Sequence, residues 1–219
     1  MAFFVDHLVR ASPLGPKLTA ASAAFEIRSA QQHSEKPPQE QPDFASPLWR
    51  LFNSLPMSET YTIPAGASIG HVHLRVSDLA RAEGFYCGLL GFEVTVRYGT
   101  DAVFISAGGY HHHIGLNTWH SKGAPPASRR GVGLFHTAIL YPGRRDLAIV
   151  LRRLLDADYP LTGASDHGVS EALYLDDPDG NGVELYWDRP REEWPKDPSG
   201  GIDMYTRPLD LEDLLRTLV

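Results

Sequence analysis

The chain has 219 residues, with 20 basic against 27 acidic side chains, a formal charge of −7 and 42% hydrophobic content. That size and composition suit one domain with a core of its own, the acidic balance argues against a nucleic-acid partner, and no apolar run approaches a membrane span. A single cysteine, Cys87, excludes an intrachain disulfide and makes a reducing, cytoplasmic setting the default expectation.

The opening MAFFVDHLVR places Asp6 and His7 after only a few apolar residues, so no secretory h-region is expected. Residues 29 to 49, SAQQHSEKPPQEQPDFASPLW, are polar and Pro-rich and read as linker or disorder. Order is expected to resume near MSETYTIPAGASIG, residues 57 to 70. Met57 is a candidate translation start, and residues 1 to 56 are then either a start-site artefact or a flexible extension.

From residue 69 a pattern occurs twice. The first pass opens with IGHVHLRV, residues 69 to 76, a short alternating strand. SDLARAEGFYCGLLGF follows as a helix, with Ser77 or Asp78 as N-cap and Gly91 as its stop. Leu79, Ala82, Tyr86 and Leu89 form its buried stripe. FEVTVRYG, DAVFISAG and HHHIGLNTW read as strands broken by Gly-containing turns.

After the connection ASRRGVG, the second pass opens with GLFHTAILY, residues 133 to 141. Its helix, RRDLAIVLRRLLDADY, carries Leu147, Val150, Leu151 and Leu154 at i, i+3, i+4 and i+7. Strands are expected around PLTGAS, SEALYLDD and GVELYWD. Each pass reads βαβββ. The expected class is α+β: two such modules, about 68–120 and 131–190, paired into a curved, barrel-like mixed sheet within a domain spanning 57–190.

Glu184 stands in the last strand, Val-Glu-Leu-Tyr-Trp, where it either faces water or is buried with something to offset its desolvation. His71 and His136 hold the same place in the two opening strands. Opening and closing strands line the concave side of a paired sheet, which makes His71, His136 and Glu184 convergent. Two imidazoles and a carboxylate form the facial triad suited to non-haem Fe(II), and Mn(II) is compatible with the same donors.

The segments GHVHLRVSDL, FYCGLLGFEV, LFHTAIL and DPDGNGVELYW resemble the vicinal oxygen chelate superfamily over about residues 68 to 190. That superfamily includes glyoxalase I, fosfomycin and bleomycin resistance proteins, and extradiol ring-cleaving dioxygenases. GGYHHHIGLNTW and DHGVSEALYLDDPDGNG are most similar to catechol 2,3-dioxygenase-type extradiol enzymes. The resemblance implies His71, His136 and Glu184 as metal ligands, with His73, on the same strand face, as the rival to His71. Glyoxalase I has a fourth ligand on the first closing strand. Gly115 falls at that place here, and Asn117 reaches the site only with a register shift of two.

The same resemblance implies His113, with His112 second, as the acid/base beside the metal, although a histidine run is also a plain polar strand start. Tyr174, ten residues before Glu184, matches a tyrosine that hydrogen-bonds substrate or oxygenated intermediate; cross-strand packing is its ordinary alternative. His167, on a loop over the pocket, is expected to contact the substrate or back the ligands. The implied activity is a metal-dependent extradiol dioxygenase taking a catechol or related small aromatic and O2. A glyoxalase-type metal-dependent lyase or isomerase and a metal-free ligand-binding resistance-type protein are the alternatives. Most extradiol enzymes carry four modules and this chain two, so a homodimer shielding its sheet edges is an open expectation. Whether the triad forms within one chain or across such a dimer stays open as well. In the tail, residues 191–219, Trp187 and Trp194 are expected to pack locally, and Leu211, Leu214, Leu215 and Leu218 make an amphipathic helix capped by Asp210.

Overall fold

The computed structural model describes residues 46, 47, 50, 51, 60–126, 128 and 130–219. The expectations for residues 1 to 56 lie almost wholly outside them. Among the described residues no helix is long and apolar enough to cross a membrane.

The first module begins with β1 (Val72–Arg75), which turns Leu74 into the core and leaves His73 and Arg75 exposed. Asp78 caps α1 (Leu79–Glu83), its side chain accepting from the Arg81 amide at 2.9 Å. The helix continues as a π-helical turn, Gly84–Leu89, in which the Leu90 amide donates to the Phe85 carbonyl at 3.0 Å. This wider turn brings both Phe85 and Tyr86 into the core, where a regular α-helix would favour one of them. Gly91, at φ 90°, ends the segment in a conformation that disfavours a side chain. Then come β2 (Glu93–Tyr98), β3 (Ala102–Ser106) and β4 (Ile114–Asn117).

The second module repeats the order with β5 (Thr137–Leu140), α2 (Arg144–Asp156), β6 (Gly163–Asp166), β7 (Ser170–Asp176) and β8 (Gly182–Asp188). Helix α2 buries Leu147, Ala148, Val150, Leu151 and Leu154, the stripe that its periodicity predicts. The tail adds what no sequence pattern announced, a two-residue strand β9 (Arg207–Pro208) against β6. It ends in α3 (Leu211–Arg216), capped by Asp210, which buries Leu214 and docks on its own domain through the Arg144–Asp213 ion pair at 2.8 Å. Trp194 packs locally, its indole donating to the Arg189 carbonyl at 2.8 Å.

The sheet orders are β1-β4-β3-β2 and β5-β8-β7-β6-β9. The single curved sheet expected from the repeat is therefore two sheets, and among the described residues no ladder joins them. Side chains make the junction instead. Leu74, Val76, Phe85 and Tyr86 share one core with Leu151, Leu173, Val183 and Leu185. The buried Tyr86 hydroxyl donates to Asp177 at 3.0 Å, and Ser77 donates to Asp179 through its amide at 3.0 Å and its hydroxyl at 2.6 Å. Arg81 also pairs with Asp179, and Arg153 donates to the Gly88 and Leu89 carbonyls at 2.8 Å.

Register supports the internal repeat. In the first sheet Val72 lies opposite Ile114 and His73 opposite Gly115; in the second Thr137 lies opposite Val183 and Ala138 opposite Glu184. His71 and His136 therefore each stand one residue ahead of equivalent strands, and Gly115 is the counterpart of Glu184.

Candidate metal centre

Strands β5, β8 and β7 bring one group of polar side chains together. Tyr174 sits directly opposite Glu184 in the β7–β8 ladder, and His136 precedes the strand on the other side of β8. His136 Nε2 lies 2.9 Å from Glu184 Oε2, while the Tyr174 hydroxyl donates to Glu184 Oε1 at 2.8 Å. His167 Nε2 lies 2.7 Å from the same hydroxyl. Behind it, His167 Nδ1 is 3.0 Å from the Tyr205 carbonyl and 3.2 Å from Thr206 Oγ1. The four side chains form an unbroken row. Burial first, and the bond to Glu184 second, push the Tyr174 pKa up, so its hydroxyl is a neutral donor near neutral pH.

A cavity of about 710 Å³ opens beside this row, lined by Leu134, Phe135, His136, Tyr174, Gly182 and Val183 among others. Gly182 permits the close approach there: a Cβ at that position would come within 2.2 Å of the Phe135 carbonyl oxygen and 3.2 Å of His136 Cβ. The donors fit part of a metal site. His136 Nδ1 is buried with no hydrogen-bond partner among the described residues. The 2.9 Å between His136 Nε2 and Glu184 Oε2 suits two atoms that share one cation.

The remaining sequence-derived candidates gather on the first module. The His71 ring lies 4.4 Å from that of His112, which also meets Phe104 at 5.0 Å and, through Nδ1, His111 at 2.7 Å. Burial, then the neighbouring imidazoles with His71 foremost, hold the His112 pKa below its usual value. His113 is pinned to its own turn, with Nδ1 accepting from the Ala107 amide at 3.3 Å and lying 3.0 Å from Ser106 Oγ. The His73 ring occupies the space over Gly115, whose Cβ would stand 2.9 Å from it, and packs near Phe104 and Trp119. Asn117 keeps the unshifted register, its side chain accepting from the Trp119 amide at 3.3 Å.

His71 does not join His136 and Glu184. Among the described residues no three His, Cys, Asp or Glu side chains converge to hold a metal. The connection between modules explains this. Strand β1 leaves His71 behind and exits at Ser77, which binds Asp179 just ahead of β8. Because β8 runs parallel to β5, that end also carries His136. The exit of β1, not its start, thus lies at the His136 end, and His71 stands at the other end of that strand. Repetition made the two histidines equivalent, but equivalent positions meet only when the starts of the two strands meet. The backing of His167 by Tyr205 and Thr206 had no signal in the sequence, because it depends on the tail returning to β6.

The paired βαβββ modules define a class, and the chain belongs to it: the Glyoxalase/Bleomycin resistance protein/Dioxygenase superfamily, whose model matches residues 68–185. Within that superfamily, the catechol-2,3-dioxygenase of Bacillus subtilis (strain 168) is 41% identical over 148 residues, 67% of this chain and 50% of that protein. Biphenyl-2,3-diol 1,2-dioxygenase 3 of Rhodococcus globerulus is 33% identical over 121 residues, 55% of this chain and 63% of that one. The chain thus spans only about half to under two thirds of the length of these curated relatives. Among solved structures, a glyoxalase/dioxygenase from Nostoc punctiforme shares the fold at a TM-score of 0.50 and 13% identity, over 62% of this chain and all of that one.

Proposed function

We propose that the chain is a metal-dependent extradiol-type ring-cleaving dioxygenase, acting with O2 on a catechol or related aromatic that bears two adjacent oxygens. The single observation that carries this reading is the row His136–Glu184–Tyr174–His167 beside an apolar-walled cavity. Similarity to two dioxygenases of aromatic diols supports it. Fe(II) is the proposed metal, with Mn(II) compatible with the same donors. His136 and Glu184 are proposed ligands with His71 as the third, supplied by a second copy of the chain since one chain keeps it apart from them, and His73 is the less suited rival because its ring is engaged over Gly115. When bound, the metal would lower the pKa of a coordinated hydroxyl and hold both reactants together.

The protein's own groups supply the rest. Leu134 and Phe135 offer apolar surface for an aromatic ring. Tyr174, held neutral, donates a hydrogen bond toward an oxygen placed at Glu184. His167, touching that hydroxyl, accepts or returns a proton through it. His113, and His112 after it, are the proposed acid/base groups of the first module. With Gly115 where a fourth ligand would stand, three protein ligands remain, as a dioxygenase needs to leave positions open for two reactants. A reducing cytoplasm suits both Fe(II) and the free Cys87.

The test is anaerobic loading with Fe(II), followed by oxygen uptake with a panel of catechols. Uptake that requires both metal and catechol is expected. Absence of uptake with every catechol, alongside metal-dependent turnover of a thiohemiacetal, would move the chain to the glyoxalase-type lyases. Ligand binding unaffected by metal removal would make it a sequestering protein.

A further inference from the structure

We infer that the C-terminal tail is part of the site: the Tyr205 carbonyl, with Thr206 beside it, is a positioning group that fixes which nitrogen of His167 exchanges a proton with Tyr174. The inference rests on the reading of Tyr174 and His167 as site residues and deepens it by assigning the exchange to one atom. A carbonyl oxygen only accepts hydrogen bonds. With the Tyr205 oxygen 3.0 Å from His167 Nδ1, that nitrogen must carry a hydrogen. Thr206 Oγ1, at 3.2 Å, is a second acceptor for the same N–H. The opposite tautomer would set two lone pairs against each other at 3.0 Å. Nδ1–H is therefore kept whether the ring is neutral or charged, and only Nε2 gains or loses a proton. Nε2 is the atom that lies 2.7 Å from the Tyr174 hydroxyl. The tail thus aims the exchangeable position of His167 along the row that leads to Glu184.

Several contacts hold the tail in this place. Strand β9 pairs with β6, setting Arg207 opposite Asp166 and Pro208 opposite Ser165, so that Thr206 comes level with His167. The Tyr205 amide donates to the His167 carbonyl at 3.3 Å, and His167 is then clamped through both its backbone and its ring. Arg207 places its guanidinium over the Tyr205 ring at 4.0 Å. Gly168, at φ 78°, lets that ring close against the turn after His167. A Cβ there would stand 2.7 Å from Tyr205 Cε1 and 2.8 Å from Pro195 Cγ. Tyr205 and Thr206 lie beyond 68–185, the stretch that the superfamily model matches. Without them His167 Nδ1 would face water, which donates as readily as it accepts, and neither tautomer would be imposed.

Heteronuclear NMR of the histidine rings tests this without turnover. In the full chain before metal is added, the His167 signal, identified by its loss in His167→Gln, should show the hydrogen on Nδ1. Gly168→Ala crowds the Tyr205 ring away, and the signal should become that of mixed tautomers. In the same variant loaded with Fe(II), kcat for a catechol should fall about 100-fold, since a displacement of about 1 Å suffices for that, while KM changes little. Tyr205→Ala removes the ring that holds the carbonyl in place and should act in the same direction; it replaces Gly168→Ala if that variant does not fold. Thr206→Val leaves the carbonyl and should keep the hydrogen on Nδ1. A wild type with the hydrogen on Nε2, or a displaced tail that leaves tautomer and kcat unchanged, overturns the inference. Loss of the Nδ1 hydrogen in Thr206→Val overturns the part given to the carbonyl. A wild type with the expected spectrum that takes up no O2 with any catechol overturns the functional reading and leaves the tautomer assignment standing.

Discussion

Glu184 is held from both sides: one carboxylate oxygen accepts the Tyr174 hydroxyl at 2.8 Å, and the other lies 2.9 Å from His136 Nε2. A strand glutamate fixed this way has no freedom to turn to solvent. Its orientation is set by a cross-strand partner and a neighbouring strand start rather than by water.

Removing the Tyr174 hydroxyl should therefore disturb chemistry more than assembly. Tyr174→Phe keeps the ring that packs beside His136 and deletes the donor shared by Glu184 and His167. Turnover of a catechol should fall roughly 10- to 100-fold, the usual cost of losing a group that orients a ligand. Anaerobic metal titration should show the ion still bound. Loss of the ion instead would assign the hydroxyl to ligand placement alone.

Gly182→Ala probes the close approach that sets His136. Its methyl would meet the Phe135 carbonyl at 2.2 Å, so β8 or the chain ahead of β5 must move. Overpacking of this kind costs about 1–3 kcal/mol in urea unfolding, and metal affinity should drop with it. Gly115→Ala should push the His73 ring aside and leave His136 untouched.

Glu171 tests the scaffold beneath the tail. It is 3% exposed and receives Arg144 at 2.7 Å and Arg189 at 2.8 Å. Glu171→Ala removes the carboxylate that Arg144 and Arg189 share but leaves Arg144 paired with Asp213 and Arg189 with Asp166, so the loss should be about 1–3 kcal/mol. The C-terminal helix, tied to Arg144 through Asp213, should become more open to proteolysis.

Acid should weaken the first module through His112. The fold holds the His112 pKa below the ordinary value of about 6.5. Below that pH the unfolded chain takes up a proton that the folded chain refuses, so this contribution is full above pH 6.5 and is lost as pH falls through the folded value. The urea midpoint should decline as pH falls below about 6.5, and His112→Gln should flatten the decline. An unchanged slope in that variant would place the sensitivity elsewhere.

The repeat, the buried stripe of α2, the Asp78 and Asp210 caps and the equivalence of His71 with His136 were all readable, because each rests on local spacing. Phe85 was missed because the π-helical turn changes the phase of α1 partway along. Strand β9 was missed because Arg207–Pro208 carries no alternation, and proline is tolerated only on such an edge. Convergence of the ligands was the largest gap. Spacing shows that two positions are equivalent, but which strand ends lie together is decided by contacts such as Ser77–Asp179, between residues far apart in sequence.

The most direct measurement is anaerobic calorimetric titration of Fe(II) into the wild-type chain and into His136→Ala. One ion per chain should bind the wild type, with loss of about 100-fold or more in affinity in the variant. Equal binding by the two proteins would contradict the account, because the imidazole beside Glu184 would then have no part in holding a metal.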